Sequence, residues 1–304
     1  MTAPSRPALR WHGGKWRLAP WIIAHFPAHR IYVEPFGGAA SVLLRKERVY
    51  AEVYNDLDDV VVNLFRVLQH REKAARLIEA LRLTPFARAE FDDALGEPED
   101  DVERARHLII RSFMGFGSNA HSASSVALKT GFRSSANADA YRSTGFRANS
   151  NRSGTTPAHD WAHYPESLAA ILDRLVGVVI ESRDAREVMA QHDSPATLHY
   201  VDPPYLPDTR SPANKYDLKH RMYRHEMTAA DHAELLPFLR GLRGYVVLSG
   251  YPSALYDCAL GDWRRVEKRA MADGGRARTE VLWINPAATT RIAQRSLFDN
   301  EAVA

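Results

Sequence analysis

Short apolar, β-branched runs alternate along much of the chain with stretches whose apolar residues recur at helical spacing. The runs at 31–34, 50–54, 176–181, 197–201 and 244–249 predict strands. Helical spacing predicts helices over 15–26, 39–48, 57–70, 163–174, 185–191 and 229–242, with Pro27 stopping the first and Thr228 an N-cap for the last. Strand, glycine turn, helix, strand, acid, helix is how a doubly wound α/β sheet begins. Near the C-terminus, 263–271 and 276–284 read as two strands around Asp273-Gly-Gly275, a hairpin signal.

The middle of the chain breaks this alternation. Residues 72–95 and 102–114 predict helices, and 115–157 is rich in Ser, Asn, Gly and Arg with few aliphatics. Phe113, Phe116, Phe132, Tyr141 and Phe146 run through this region among arginines, a composition suited to a contacting surface rather than a plain linker. The expected organisation is an α/β domain formed by 1–65 and 163–290, a mostly helical and loop-like insertion at 66–162, and a polar, mobile tail at 291–304.

Composition narrows the class. The chain has 304 residues, 45% hydrophobic and 25% charged, ordinary values for a globular protein. It contains no apolar run of ~18 residues and its N-terminus lacks the apolar core of a signal peptide, so no membrane association and a cytoplasmic location are expected. One cysteine, Cys258, excludes an internal disulfide and a cysteine-based zinc site, and is expected as a small buried hydrophobe. Net charge is +3, but 104–153 holds eight Arg or Lys (104, 106, 111, 129, 133, 142, 147, 152) against one acid, Asp139. That stretch is +7 and the remainder −4, a distribution that fits a phosphate-contacting surface.

Three motifs carry candidate chemistry. Asp202-Pro-Pro-Tyr205 directly follows the strand LHYV, at the strand end where α/β enzymes place reacting groups. An exocyclic amine conjugated to an aromatic base is a poor nucleophile until acceptors draw its hydrogens out of the ring plane. Asp202 offers a carboxylate and Pro203 a carbonyl, aimed by a backbone that Pro203 and Pro204 restrain, and Tyr205 offers a face for a base to stack on. The second motif, Glu34-Pro-Phe-Gly-Gly-Ala-Ala-Ser41, is a glycine turn between strand and helix, where Pro35, Phe36, Gly37 and Gly38 let a ligand approach the backbone. Glu34 closes its strand; Asp56, in Tyr54-Asn-Asp56, closes the next and could accept from ribose hydroxyls. The dinucleotide fingerprint GxGxxG is absent, which disfavours NAD. Third, Trp11-His-Gly-Gly-Lys15 places two glycines before a lysine that opens a helix, an anion-binding turn suited to a carboxylate; the Walker A spacing is not met.

In this order, WHGGK, VEPFGGAAS, YND and DPPY resemble the Dam-type adenine-N6 DNA methyltransferases, from Trp11 to about Pro286. The resemblance implies a methyltransferase-type, doubly wound, mostly parallel sheet with a C-terminal β-hairpin, plus a DNA-recognition insertion at 66–162. It implies S-adenosylmethionine as cofactor, held around Trp11, Lys15, Glu34, Pro35, Phe36, Gly37, Gly38, Asp56 and Asp202, with Asp184 of Glu181-Ser-Arg-Asp184 reading its adenine. Asp202 and Tyr205 would then grip an adenine flipped out of duplex DNA, with no metal required. Two departures stand out: His12 replaces a small residue, and Ala40 stands where the family has a glycine.

A basic loop after Tyr205, with Arg210, Lys215 and Arg221, and the insertion residues Arg111, Asn119, His121, Lys129 and Arg133 are the expected DNA contacts. Gln294-Arg-Ser-Leu-Phe298 resembles the short peptides that bind the bacterial sliding clamp, against the alternative that Leu297 and Phe298 pack back on the domain. A monomer or weak dimer is expected. Cytosine N4, RNA or a protein glutamine are the alternative methyl acceptors, and a DNA-binding protein without activity is the alternative of another class.

Overall fold

The computed structural model describes residues 3–115, 146–147, 156–209, 224–271 and 277–301. Its helices in chain order are α1 (Ala19–Ile23), α2 (Asp59–Gln69), α3 (Arg71–Leu83), α4 (Arg88–Asp93), α5 (Asp101–Met114), α6 (Pro157–Ala162), α7 (Tyr164–Leu175), α8 (Ala185–His192), α9 (Ala229–Gly241), α10 (Ala254–Ala259) and α11 (Pro286–Glu301). The strands are β1 (Ile31–Glu34), β2 (Ala51–Asn55), β3 (Val178–Glu181), β4 (Thr197–Val201), β5 (Tyr245–Gly250), β6 (Arg264–Met271) and β7 (Ala277–Ile284). They divide into two compact units, one of Met1–Trp16 with Asp58–Val176 and one of Arg17–Leu57 with Gly177–Ala304.

The first unit is helical. The apolar stripe of α2 (Val61, Val62, Leu64, Phe65, Val67, Leu68) is buried with Leu77 and Leu81 of α3, Leu108 and Ile109 of α5 and Ile171 of α7. Asp58 caps α2 through Val60 N, and Asp100 caps α5 through the amides of Val102 and Glu103. The single helix expected over 72–95 is two. Thr84, which precedes Pro85, is extended (ψ 113°), and its Oγ1 donates to the Ala80 carbonyl at 2.8 Å to close α3. The N-terminal strand of chain is fastened to α5 by Ser112, whose Oγ accepts from Arg10 N (2.7 Å) and donates to Arg10 O (2.9 Å).

The second unit holds a seven-stranded sheet among the described residues, in the order β3-β2-β1-β4-β5-β7-β6. The first five strands are parallel; β7 is antiparallel to both β5 and β6, so the hairpin expected near the C-terminus is present. This is the mixed, mostly parallel sheet of the methyltransferase fold. Strand order reverses between β1 and β4, which makes the carboxyl ends of those two strands the switch point where α/β sheets bind ligands. Val33, Val53, Val201, Val246 and Leu248 pack with Val188, Leu235, Leu239 and Trp283 in a buried core.

Four local expectations are corrected. Residues 39–48 form turns rather than a helix. Leu43 N–H donates to the Glu34 carboxylate at 2.9 Å, which removes it from the helical ladder, and Ala40 sits at φ +53°. The helix expected from residue 15 begins only at Ala19, where Pro20 suits a first turn. The polar tail is helical as α11, and Gln294–Phe298 lies inside that helix. Cys258 is exposed, not buried: on α10 it lies two residues past the buried Tyr256, so the two point to opposite sides. No described helix is long and apolar enough to cross a membrane.

Candidate active site

The parallel strands deliver their carboxyl ends to one edge of the sheet, and the motif residues of the second unit gather there. After β1, the turn Pro35–Gly38 is bound residue by residue by the end of β2. Asn55 Nδ2 donates to Pro35 O (2.9 Å), Gly37 N to Asn55 O (2.8 Å), Tyr54 OH to Gly38 O (2.7 Å) and Gly38 N to Asp56 Oδ2 (2.7 Å). Gly37 is required by this packing. A Cβ there would lie 2.1 Å from Tyr54 Cε2, so the protein's own ring already requires glycine at this position. Gly38 (φ +47°) and Ala40 adopt left-handed backbone, so the position where the family carries glycine does demand a glycine-like conformation. Phe36 is half-buried against the sheet core.

Asn55 also joins this turn to the segment after β3. Its Nδ2 donates to Arg183 O (3.0 Å) and its Oδ1 accepts from Arg183 N (2.9 Å). Asp184 follows at once, exposed, and caps α8 by accepting from the amides of Arg186 (2.8 Å) and Glu187 (3.4 Å). Asp56 and Asp184 therefore close adjacent strands on the same edge.

Glu34 differs from its neighbours. It is 3% exposed, and its Oε2 accepts from Tyr32 OH (2.7 Å) and Leu43 N (2.9 Å). Burial pushes its carboxyl up to about 8, the Asp202 charge adds to that, and the two hydrogen bonds oppose it. Glu34 thus shapes the glycine turn from inside.

At the end of β4, Asp202 is half-buried and its Oδ1 accepts from Ser249 Oγ on β5 at 2.7 Å. Pro203 is buried and Pro204 half-buried. Tyr205 is 8% exposed, its hydroxyl donates to Glu280 of β7, and its ring meets Tyr251 edge-on (centroids 4.5 Å, 69°). Burial first, then the charges of Asp202 and Glu280, hold the Tyr205 phenol well above its ordinary range, so it remains a donor. Ser249, Tyr251 and Glu280 were missed in the sequence. They come from β5 and β7, and no short motif links them to DPPY.

Trp11 and Lys15 lie in the helical unit. Gly14 N donates to Trp11 O at 3.1 Å around Gly13 (φ +71°), a type II-like turn, and Lys15, 5% exposed, donates to Gly13 O at 2.9 Å. Lys15 does not open a helix as expected. Arg111 is a correction as well: it is 9% exposed, and its Nη1 donates to Ala94 O at 2.7 Å inside the helical unit. Two more of the basic residues counted in 104–153 serve the same unit, Arg104 pairing with Asp59 (3.1 Å) and Arg106 with Glu103 (2.8 Å) and Glu90 (3.2 Å). An arginine on a packed helix meets the acids of its neighbours first, which sequence counting does not see. Asn119, His121, Lys129, Arg133, Arg210, Lys215 and Arg221 lie outside the described residues.

Much of the chain that carries this site is similar in sequence to known proteins. The family model of D12 class N6 adenine-specific DNA methyltransferases matches residues 11–256. The chain belongs to this family. The family's activity is adenine methylation of DNA, and the match includes WHGGK, the glycine turn, YND and DPPY. Over 67 residues the chain is 36% identical to a DNA adenine methylase of Serratia marcescens. That match covers 22% of this chain and 24% of the relative, so it spans about a quarter of the relative's length.

Proposed function

We propose that this protein transfers a methyl group from S-adenosylmethionine to N6 of an adenine extruded from duplex DNA. The observation that carries the reading is Asp202, a carboxylate at the carboxyl end of the switch-point strand β4, fixed by Ser249 and followed by the anchored ring of Tyr205.

The residues present suit the cofactor. Asp56 and Asp184, at the ends of neighbouring strands, are acceptors for hydroxyl and amine groups, and a carboxylate has about four acceptor positions, so Asp56 can hold Gly38 N and a ligand hydroxyl together. The buried, largely protonated Glu34 leaves the glycine turn without a full second negative charge beside Asp202. When bound, the cofactor supplies an electrophilic methyl on a sulfonium.

The chain's own work is positioning and electrostatic preorganisation. Asp202 accepts one hydrogen of the adenine amine and the Pro203 carbonyl accepts the other. This frees the nitrogen lone pair, and it leaves a carboxylate in place to receive a proton as the amine is methylated. Tyr205, which Glu280 and Tyr251 keep from turning, stacks on the base. The basic segments with Lys129, Arg133, Arg210, Lys215 and Arg221 supply the charge for the DNA backbone.

The test is methylome sequencing of a methylation-free bacterial host expressing the chain, beside Asp202→Ala. N6-methyladenine in one sequence context, absent from the variant, is the expected result. Cofactor-binding, folded protein that leaves adenine unmodified would refute it and turn attention to cytosine N4, RNA or protein amides.

A further inference from the structure

Asp202 is tied to the sheet by a two-step hydrogen-bonded relay. Val201 pairs with Leu248 in the β4–β5 register, so Ser249 stands opposite Asp202, and Tyr200, two residues before Asp202, shares its face. Ser249 is 0% exposed; its Oγ lies 2.7 Å from Asp202 Oδ1 and 3.1 Å from Tyr200 OH. The proton directions follow from valence. An ionised carboxylate only accepts, and a serine hydroxyl has one proton to give. Ser249 therefore donates to Asp202, and Tyr200 must donate to Ser249. Burial, with the Asp202 charge second, keeps the Tyr200 phenol well above its ordinary range, so it holds the proton this direction needs.

We propose that Ser249 is a positioning residue for Asp202, with Tyr200 fixing the direction of the serine hydroxyl, so that the plane of the carboxylate is set before the amine arrives. This rests on the reading of Asp202 as the group that holds the target amine. A carboxylate free to rotate would spread its acceptors over orientations that do not pull the amine hydrogens out of plane. One charge-assisted bond from a fully buried donor removes that freedom. Among the described residues, ionisable groups that face Asp202 include Glu34 from β1, Tyr205 beyond β4, Tyr256 from α10 and, through Tyr205, Glu280 from β7. Ser249 donates to Asp202 Oδ1, while burial first, and the Asp202 charge after it, raise Glu34, Tyr205 and Tyr256.

The experiment uses the full chain as wild type, Ser249→Ala, Tyr200→Phe and the double variant, with two readouts. The first is the titration of the Asp202 carboxyl followed by 13C NMR, its resonance assigned with Asp202→Asn. The second is the single-turnover rate of methyl transfer to duplex DNA with saturating cofactor. Loss of a donor to the ionised form moves the Asp202 titration in Ser249→Ala to higher pH, and the transfer rate falls about 10- to 100-fold while KM for DNA changes less than about twofold. Tyr200→Phe moves both in the same direction by less, and the double variant matches Ser249→Ala alone, because the tyrosine acts only through the serine. An unchanged Asp202 titration in folded Ser249→Ala, or a Tyr200→Phe effect that adds in full to it, overturns the proposal. Should Ser249→Ala fail to fold, Tyr200→Phe gives the titration readout alone, and no shift there overturns it equally. A Ser249→Ala titration shifted from that of a wild type that itself transfers no methyl to DNA would uphold the positioning role and refute the substrate reading.

Discussion

Replacing Asn55 by aspartate tests whether one amide holds the loops after β1 and β3 together. Asn55 is 0% exposed and makes three side-chain bonds: Nδ2 to Pro35 O (2.9 Å) and Arg183 O (3.0 Å), and Oδ1 from Arg183 N (2.9 Å). Asn55→Asp preserves the shape and the bond from Arg183 N, but turns an oxygen toward two carbonyls. Protonated, the new carboxyl can donate to one of them, so at low pH the net loss is one buried bond, about 1–2 kcal/mol. Ionised, it donates to neither. Burial raises a carboxyl by up to about 3–5 pH units, each worth ~1.4 kcal/mol. A folded-state value raised above the unfolded one means that the native state binds more protons across the window between them. Stability relative to wild type is then lost steadily as pH rises through that window and levels off above it. The expected deficit reaches about 5 kcal/mol near pH 7 for a three-unit rise. Asn55→Ala, which loses the bonds without adding a charge, should cost about 3 kcal/mol at every pH. Urea unfolding of the three proteins between pH 5 and pH 8 measures both. A difference between Asn55→Asp and wild type that stays flat with pH would refute the reasoning, because it would mean that water reaches the new carboxyl.

Two further perturbations bear on the same edge of the sheet. Glu34, pushed up to about 8, makes the native state the better proton binder from the ordinary carboxyl value of 4.5 upward, so stability should fall from there to about pH 8 and be flat beyond. Glu34→Gln keeps an acceptor for Tyr32 OH and Leu43 N, and should remove that decline in a plot of Tm against pH. A Gly37→Ala methyl would sit 2.1 Å from Tyr54 Cε2, so the ring must move and its bond to Gly38 O must break. A cost of about 1–3 kcal/mol and weaker S-adenosylmethionine binding by calorimetry are expected; unchanged affinity would show that the Tyr54 anchor does not shape the turn.

The sequence alone settled the elements that depend on local pattern. All seven strands lie within about two residues of the β-branched runs, because alternation and length act within a few positions. The cap at Thr228 is equally local in origin, whereas the break before Pro85 divides a stretch that was expected as one helix. The ordered motifs sufficed to name the family, since glycines, acids and DPPY at strand ends are recognisable without knowing how the strands are arranged. Tertiary structure decided what depends on partners far apart in the chain. Leu43 gives its amide to a carboxylate nine residues back, so 39–48 never becomes a helix. On α5, Arg104 and Arg106 pair with Asp59 and Glu90 of neighbouring helices, and Arg111 is buried against the Ala94 carbonyl. Ser249 and Glu280 reach Asp202 and Tyr205 across 47 and 75 residues of sequence, because strand order and register, not spacing, bring β5 and β7 beside β4. Propensity fixes the backbone of a few residues at a time. The direction of a buried hydrogen bond is fixed only when the sheet has closed around it, and that is why Asp202 could be singled out in advance while its bonding partner Ser249 could not.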